Sequence, residues 1–147
     1  MAQETANNQP LAQPIIPPVD KELLRKELVP DLQLRLTNKS HNEIYVVTAQ
    51  NAPNTLKEIG RLREIAFREA GGGTGKPLDL DEFDTCENCY KQLIVWNPEE
   101  EEIIGGYRYI LGTDWQYDDK GQPILATSHM FHFSEKFIKE YAPYTIE

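Results

Sequence analysis

The stretch KQLIVWNPEEEEIIGGYRYI, residues 91–110, decides the fold class. Residues 91–97 form an apolar run of strand length, and PEEE after them is an exposed turn. The run from Glu102 to Gly112 then pairs back as the other arm of a hairpin. Two neighbouring strands are therefore antiparallel. On the returning strand, side chains alternate between faces, so Arg108 shares one with Ile104 and Ile110. That arginine points towards something partly buried, and a guanidinium so placed requires a carboxylate or an anionic ligand.

Working outward, NEIYVVTAQ (42–50) is β-branched and aromatic and reads as a further strand. A helix is expected from about Pro53 to Ala70, with Leu56, Ile59, Leu62, Ala66 and Ala70 as its buried stripe. Arg63 and Phe67, four residues apart, lie together on a neighbouring face. Upstream, residues 1–19 are rich in Asn, Gln and Pro and read as a flexible leader. Asp20 caps a short helix, KELLRKEL, that stops before Pro30. Downstream, DWQYDDKGQP is a polar excursion, Ser134 opens the helix EKFIKEY, and YTIE begins another strand. The order gives an α+β fold with a mostly antiparallel sheet. Residues 20–147 read as one domain, and the strand begun at YTIE leads us to expect a sequence that is part of a longer protein.

Between helix and hairpin lies FREAGGGTGKPLDLDEFD, residues 67–84. It is not a phosphate-binding P-loop: the first glycine of that motif falls on Ala70 and its Ser/Thr position on Pro77. The glycines read instead as a helix C-terminus, where positive φ is tolerated without a Cβ clash. Asp79, Asp81, Glu82 and Asp84 follow, but they miss the calcium-loop spacing, and no metal is expected. The economical partners of these aspartates are Arg63 and Arg108, in one ionic cluster joining loop, helix and sheet.

The whole chain sets further bounds. A net charge of −9 over 147 residues excludes a general nucleic-acid binder. No apolar run approaches a membrane span, and no signal peptide opens the sequence, so a cytoplasmic address is expected, with peripheral attachment to the inner face of the membrane left open. Cys86-x-x-Cys89 lacks the second pair or the histidine spacing of a zinc site and reads as two ordinary reduced cysteines.

Three blocks, LREIAFREAGGGTGKPLDLDEFD, KQLIVWNPEEEEIIGGYRYI and FSEKFIKEYAPYTIE, occur in an order and spacing that resemble the hemolysin-like branch of the GNAT acyltransferases. These are acyl-carrier-protein-dependent N-acyltransferases that start glycine-lipid and ornithine-lipid synthesis, and the resemblance is to their Bacteroidetes-type members. The acyl-homoserine lactone synthases resemble the chain more distantly. Arg63 and Phe67 fit their helical Arg/Phe pair, Asp79-x-Asp81-x-x-Asp84 their acidic motif, Arg108 their strand arginine, and Glu147 the glutamate of their E-x-x-R.

The resemblance implies the N-terminal half of a GNAT-like fold, reaching the start of a central strand. It also implies an enzyme that moves a fatty acyl chain from acyl carrier protein to the amino group of glycine or ornithine. Arg63, Phe67, Asp79, Asp81, Asp84 and Arg108 are then substrate-binding residues, and Glu147 is the candidate general base. The expected partners are acyl carrier protein and a small amino acid, with no bound cofactor or metal. Two rivals stand beside this: a homoserine-lactone-type synthase using S-adenosylmethionine, and a non-catalytic binding module that needs a partner to complete its sheet.

Overall fold

The computed structural model describes residues 12–147. Its centre is a four-stranded antiparallel sheet in the order β1 (Gln33–Leu36), β2 (Glu43–Val47), β3 (Lys91–Asn97) and β4 (Glu102–Tyr109). The hairpin expected from residues 91–110 is β3–β4, with Gln92 opposite Arg108 and Ile94 opposite Gly106. The α+β class therefore holds. Strand β1 was not foreseen, because QLRL is only four residues long and mostly exposed, leaving no apolar alternation to read.

Helix α1 (Lys21–Glu27) is capped by Asp20, whose carboxylate accepts from the Glu22 N–H. Helix α2 (Pro53–Glu69) lies against the sheet face that carries Tyr45, Val47, Ile94 and Trp96, and these form one core with Leu24, Leu28, Ala52 and Ile59. Its N-terminus has no side-chain cap of its own, since the N-cap residue is Ala52. Glu27, at the end of α1, supplies one instead. Its carboxylate accepts from the backbone N–H groups of Asn54 and Thr55 at 2.9 and 2.7 Å, and from both their side chains. The orphan donors of the first turn are thereby satisfied from outside the helix.

The expected buried stripe of α2 holds only in its first half. Leu56 and Ile59 are buried, Leu62 is half-buried, and Ala66 and Ala70 are exposed. The second half of the helix borders an open groove rather than the core. The glycines do end the helix: Gly71 adopts φ +79°, Gly71 N–H reaches the Arg68 carbonyl and Gly72 N–H the Phe67 carbonyl. That double return bond satisfies the last carbonyls at a position where a Cβ is unfavourable.

The acidic segment contains a short helix, α3 (Glu82–Thr85). The reason is the Asp81-x-x-Asp84 spacing itself. Asp81 accepts from the N–H groups of Phe83 and Asp84, while Asp84 accepts from the N–H of Asp81, completing a capping box.

Of the leader expected over residues 1–19, the first eleven lie outside the described residues. From Ala12 to Val19 the chain runs beside the glycine-rich turn: Gln13 and Ile16 donate to the carbonyls of Gly75 and Pro77, and Val19 donates to the buried Glu58 carboxylate. A second core joins Tyr90, Ile110, Trp115, Leu125 and Ala142, packed with Phe83, Phe133 and Phe137. Helix α4 (Glu135–Glu140) starts at Ser134, which caps it through Phe137 N–H. Residues 146–147 return antiparallel to the end of β4, with Ile110 and Glu147 exchanging backbone hydrogen bonds of 2.9 and 3.0 Å. Among the described residues no helix is long and apolar enough to cross a membrane.

Candidate active site

The site is built where α2, α3 and β4 converge. Arg63 projects from α2 and donates through Nε to Asp79 at 3.2 Å and through Nη1 to both oxygens of Asp84. Arg108 projects from β4 towards the same carboxylates, donating through Nη1 to Asp81 at 2.8 and 2.9 Å and to Asp84 at 3.0 Å. The antiparallel register puts Gln92 beside Arg108, and its Nε2 donates to Asp84 at 2.8 Å. The ionic cluster expected from sequence is thus present in the structure.

Asp84 is the hub and is fully buried. Burial works against its charge, but Arg63, the Asp81 backbone N–H and Arg108 together outweigh it and hold the carboxyl below its ordinary range. Burial likewise opposes the charge on Arg108, and Asp84 and Asp81 more than restore it. Three carboxylates face two guanidinium groups, which leaves one negative charge in excess. Among the described residues, Arg63 Nη2 and the Nε and Nη2 of Arg108 are not consumed by this network.

Both arginines and Gln92 line a groove of about 670 Å³ between the second half of α2 and β4. Its remaining walls are mostly apolar, from Leu62, Ala66, Ile94 and Ile104, with Phe67 half-exposed at the rim. Part of the floor is glycine, Gly105 and Gly106. A Cβ at Gly106 would sit 2.5 Å from the Leu93 carbonyl oxygen, so only glycine allows β3 and β4 to approach there. The volume is in the range of small-molecule sites.

Glu147 stands apart from this groove. Its carboxylate accepts from the Tyr90 hydroxyl and, at 2.9 Å, from the Thr127 N–H. Burial pushes its carboxyl up from the ordinary value, against the Thr127 hydrogen bond. Its link to the arginines is indirect, through Tyr90, whose ring lies under the Arg108 guanidinium with 5.2 Å between guanidinium carbon and ring centroid.

Four contributors were missed in the sequence. Gln92 is the one polar side chain on the buried face of an apolar strand, which is a usable signal. Glu64 and Arg68 show the i,i+4 spacing of a helical ion pair. Glu64 is in fact fully buried and also accepts from the Thr74 and Gly75 N–H groups and the Thr74 hydroxyl, so it shapes the whole glycine-rich turn. Those bonds, led by the Thr74 hydroxyl, hold its carboxyl down at about 2. Tyr90 carried no signal at all.

Cys86 is exposed and Cys89 buried, and neither is in a disulfide. Both contact Gln50, whose side chain accepts from the Cys89 thiol and donates to the Cys86 carbonyl. Among the described residues no group of three or more His, Cys, Asp or Glu is placed to hold a metal ion.

Residues 62–142, more than half of the chain, match the family described as the acetyltransferase (GNAT) domain. The chain belongs to the GNAT acetyltransferase family. The matched GNAT span contains Arg63, Phe67, the three aspartates and Arg108, and stops short of Glu147. Two curated relatives are named "Glycine N(alpha)-acyltransferase". The one from Bacteroides thetaiotaomicron is 71% identical over 133 residues, which is 90% of this chain and 40% of the relative. The one from Phocaeicola vulgatus is 68% identical over 133 residues, 90% of this chain and 41% of the relative. This GNAT chain therefore spans about two fifths of the length of those relatives. No solved structure matches it.

Proposed function

We propose that the chain forms the acceptor side of an N-acyltransferase that moves a fatty acyl group from acyl carrier protein to the amino group of glycine, in aminolipid synthesis. The observation that carries this reading is the identity of about 70% to two proteins named glycine N(alpha)-acyltransferase, over nine tenths of the chain. The site's charge pattern supports it. An amino acid zwitterion needs a guanidinium for its carboxylate and an anion for its ammonium. The groove offers the unconsumed N–H groups of Arg63 and Arg108 for the first, and Asp81, paired with Arg108 behind the groove lining and about a third exposed, is the anion for the second.

In this reading the ammonium first gives up a proton to become an amine. The amine nitrogen attacks the thioester carbonyl, the C–N bond forms, and the C–S bond breaks. The remaining excess proton leaves nitrogen for a base, and the carrier's thiolate leaves and is protonated to the thiol. Glu147, outside the groove and linked to it through Tyr90 and Arg108, is the base in this reading, with a carboxyl raised from its ordinary value by burial. The reaction takes place on the cytoplasmic side of the membrane, with peripheral attachment to it.

The test is to incubate the full protein with palmitoyl-loaded acyl carrier protein and isotope-labelled glycine, with ornithine and S-adenosylmethionine in parallel. N-acylglycine and free carrier thiol in equal amounts are expected. A lactone product from S-adenosylmethionine would transfer the chain to the rival synthase class, and absence of product with all three acceptors would remove the enzymatic reading.

A further inference from the structure

Tyr90 is among the most deeply buried aromatic residues of the chain, 3% exposed, yet it is used on every side. It sits immediately before β3, where the acidic segment ends, and its own N–H donates to the Phe83 carbonyl of α3 at 2.8 Å. Its hydroxyl donates to Glu147 Oε2 and accepts from the Ala126 N–H at 3.0 Å. One ring face carries the Arg108 guanidinium, and its edge meets Phe83 at 5.7 Å between centroids. The phenol is thus held from several sides, and its ring face and hydroxyl touch two groups, Arg108 and Glu147, that share no hydrogen bond or ion pair with each other.

We propose that Tyr90 is a positioning residue for acyl transfer: its hydroxyl aims the Glu147 carboxylate while its ring supports Arg108, so one rigid side chain sets base and cation against each other. This rests on the reading of Glu147 as the general base. A buried phenol suits the task because the cation–π contact and the hydrogen bond come from perpendicular directions of the same plane. The other charged or titratable groups on the elements around Glu147 are already engaged or turned aside. Lys91 on β3 pairs with Asp114 at 3.3 Å, Arg108 on β4 is held by Asp81 and Asp84, and the His129 ring lies against Phe83. The Tyr90 hydroxyl is thus the group through which the hydrogen bonding of Glu147 can be altered while the ring stays in place under Arg108.

The experiment compares Tyr90→Phe, Tyr90→Leu and Glu147→Gln in the full protein, with kcat and the KM for glycine measured across pH. A phenol donating to a carboxylate favours its charged form. Tyr90→Phe should therefore move the acidic limb of kcat to higher pH and lower kcat by roughly tenfold, with the KM for glycine nearly unchanged. Tyr90→Leu also removes support from Arg108 and should raise that KM. Replacing Tyr90 with 3-fluorotyrosine keeps the packing and strengthens the donor, so the limb should move to lower pH; this variant decides the matter if Tyr90→Phe fails to fold. An inactive Glu147→Gln beside pH profiles that neither the phenylalanine nor the fluorinated variant displaces would overturn the role of Tyr90 alone. A fully active Glu147→Gln would remove the base itself, and this inference with it.

Discussion

Glu64 carries the glycine-rich turn through Thr74, which gives the carboxylate both its backbone N–H, at 3.0 Å, and its hydroxyl, at 2.6 Å. The loop that looks like a phosphate cradle is folded inward around an anion of its own. Its N–H groups at Thr74 and Gly75 are spent on Glu64. The stability of this arrangement is consequently tied to pH.

Glu64 and Asp84 both have folded-state values below their ordinary ones of 4.5 and 3.8, Glu64 at about 2. A carboxylate depressed by folding contributes stability that is fully present above its unfolded value and is lost as pH falls through the folded one. The denaturant midpoint should therefore fall steeply between about pH 4 and pH 2. Glu147, shifted upward, acts in the opposite sense. Glu64→Gln should flatten the curve in that window; an equally steep curve in the variant would refute the assignment.

Asp84→Asn leaves Arg63 and Arg108 without their shared buried partner. Breaking a buried pair from one side typically costs about 3 kcal/mol. Urea denaturation at neutral pH should report a loss of that order, and a loss below about 1 kcal/mol would mean the hub is dispensable.

The two neighbouring glycines of β4 should behave differently. Gly106→Ala places a Cβ against the Leu93 carbonyl oxygen and Ile94 Cα, whereas a Cβ at Gly105 meets nothing within 4 Å. Gly106→Ala should cost about 2 kcal/mol, and Gly105→Ala should stay within about 0.5 kcal/mol. Thermal unfolding of the pair measures the difference directly.

Glu27→Ala removes the borrowed cap of α2 and should destabilise the chain by about 1 to 2 kcal/mol. Glu27→Gln, which retains acceptor capacity on one oxygen only, should fall between the two. Equal stability of all three proteins would show that water replaces the carboxylate at no cost.

For activity, Arg108→Ala should lower kcat/KM in the acyl-transfer assay by about a hundredfold, because it strips a half-buried cation from two aspartates and from the groove. Arg108→Lys should recover little of it, since an ammonium cannot serve two carboxylates, a ring face and a ligand at once. Cys86→Ser with Cys89→Ser should leave activity nearly intact, since neither cysteine lines the groove and the Cys89 thiol bonds to Gln50 rather than to the ionic cluster. A folded but inactive double serine variant would make the cysteine pair functional after all.

Much of this was legible because period and punctuation agreed. The β3–β4 hairpin, the glycine stop of α2 and the Asp20 and Ser134 caps each rest on residues adjacent in sequence. The Arg63–aspartate–Arg108 cluster was legible for another reason: a charged side chain on a buried face demands a counter-charge, and the acidic segment was the nearest supply. What escaped depended on distance in sequence or on a double meaning. Glu27 caps a helix that starts 26 positions later. Asp81 and Asp84 were read as ligands for arginine, which they are, while their second use as a capping box went unseen. Ala66 and Ala70 fitted the helical period but had no sheet beneath them. Tyr90 joins three segments, and nothing local announces such a role.

The anchoring of residues 12–19 fixes the order in which the protein loosens. The amide protons of Gln13 and Ile16 are held by carbonyls of the turn, and that turn is held by Glu64 in the middle of α2. Strap, turn and helix centre thus form one cooperative unit whose protons should exchange with solvent at a common rate. Freeing the strap would reach the groove wall without any contact to a ligand, because the same helix carries Arg63.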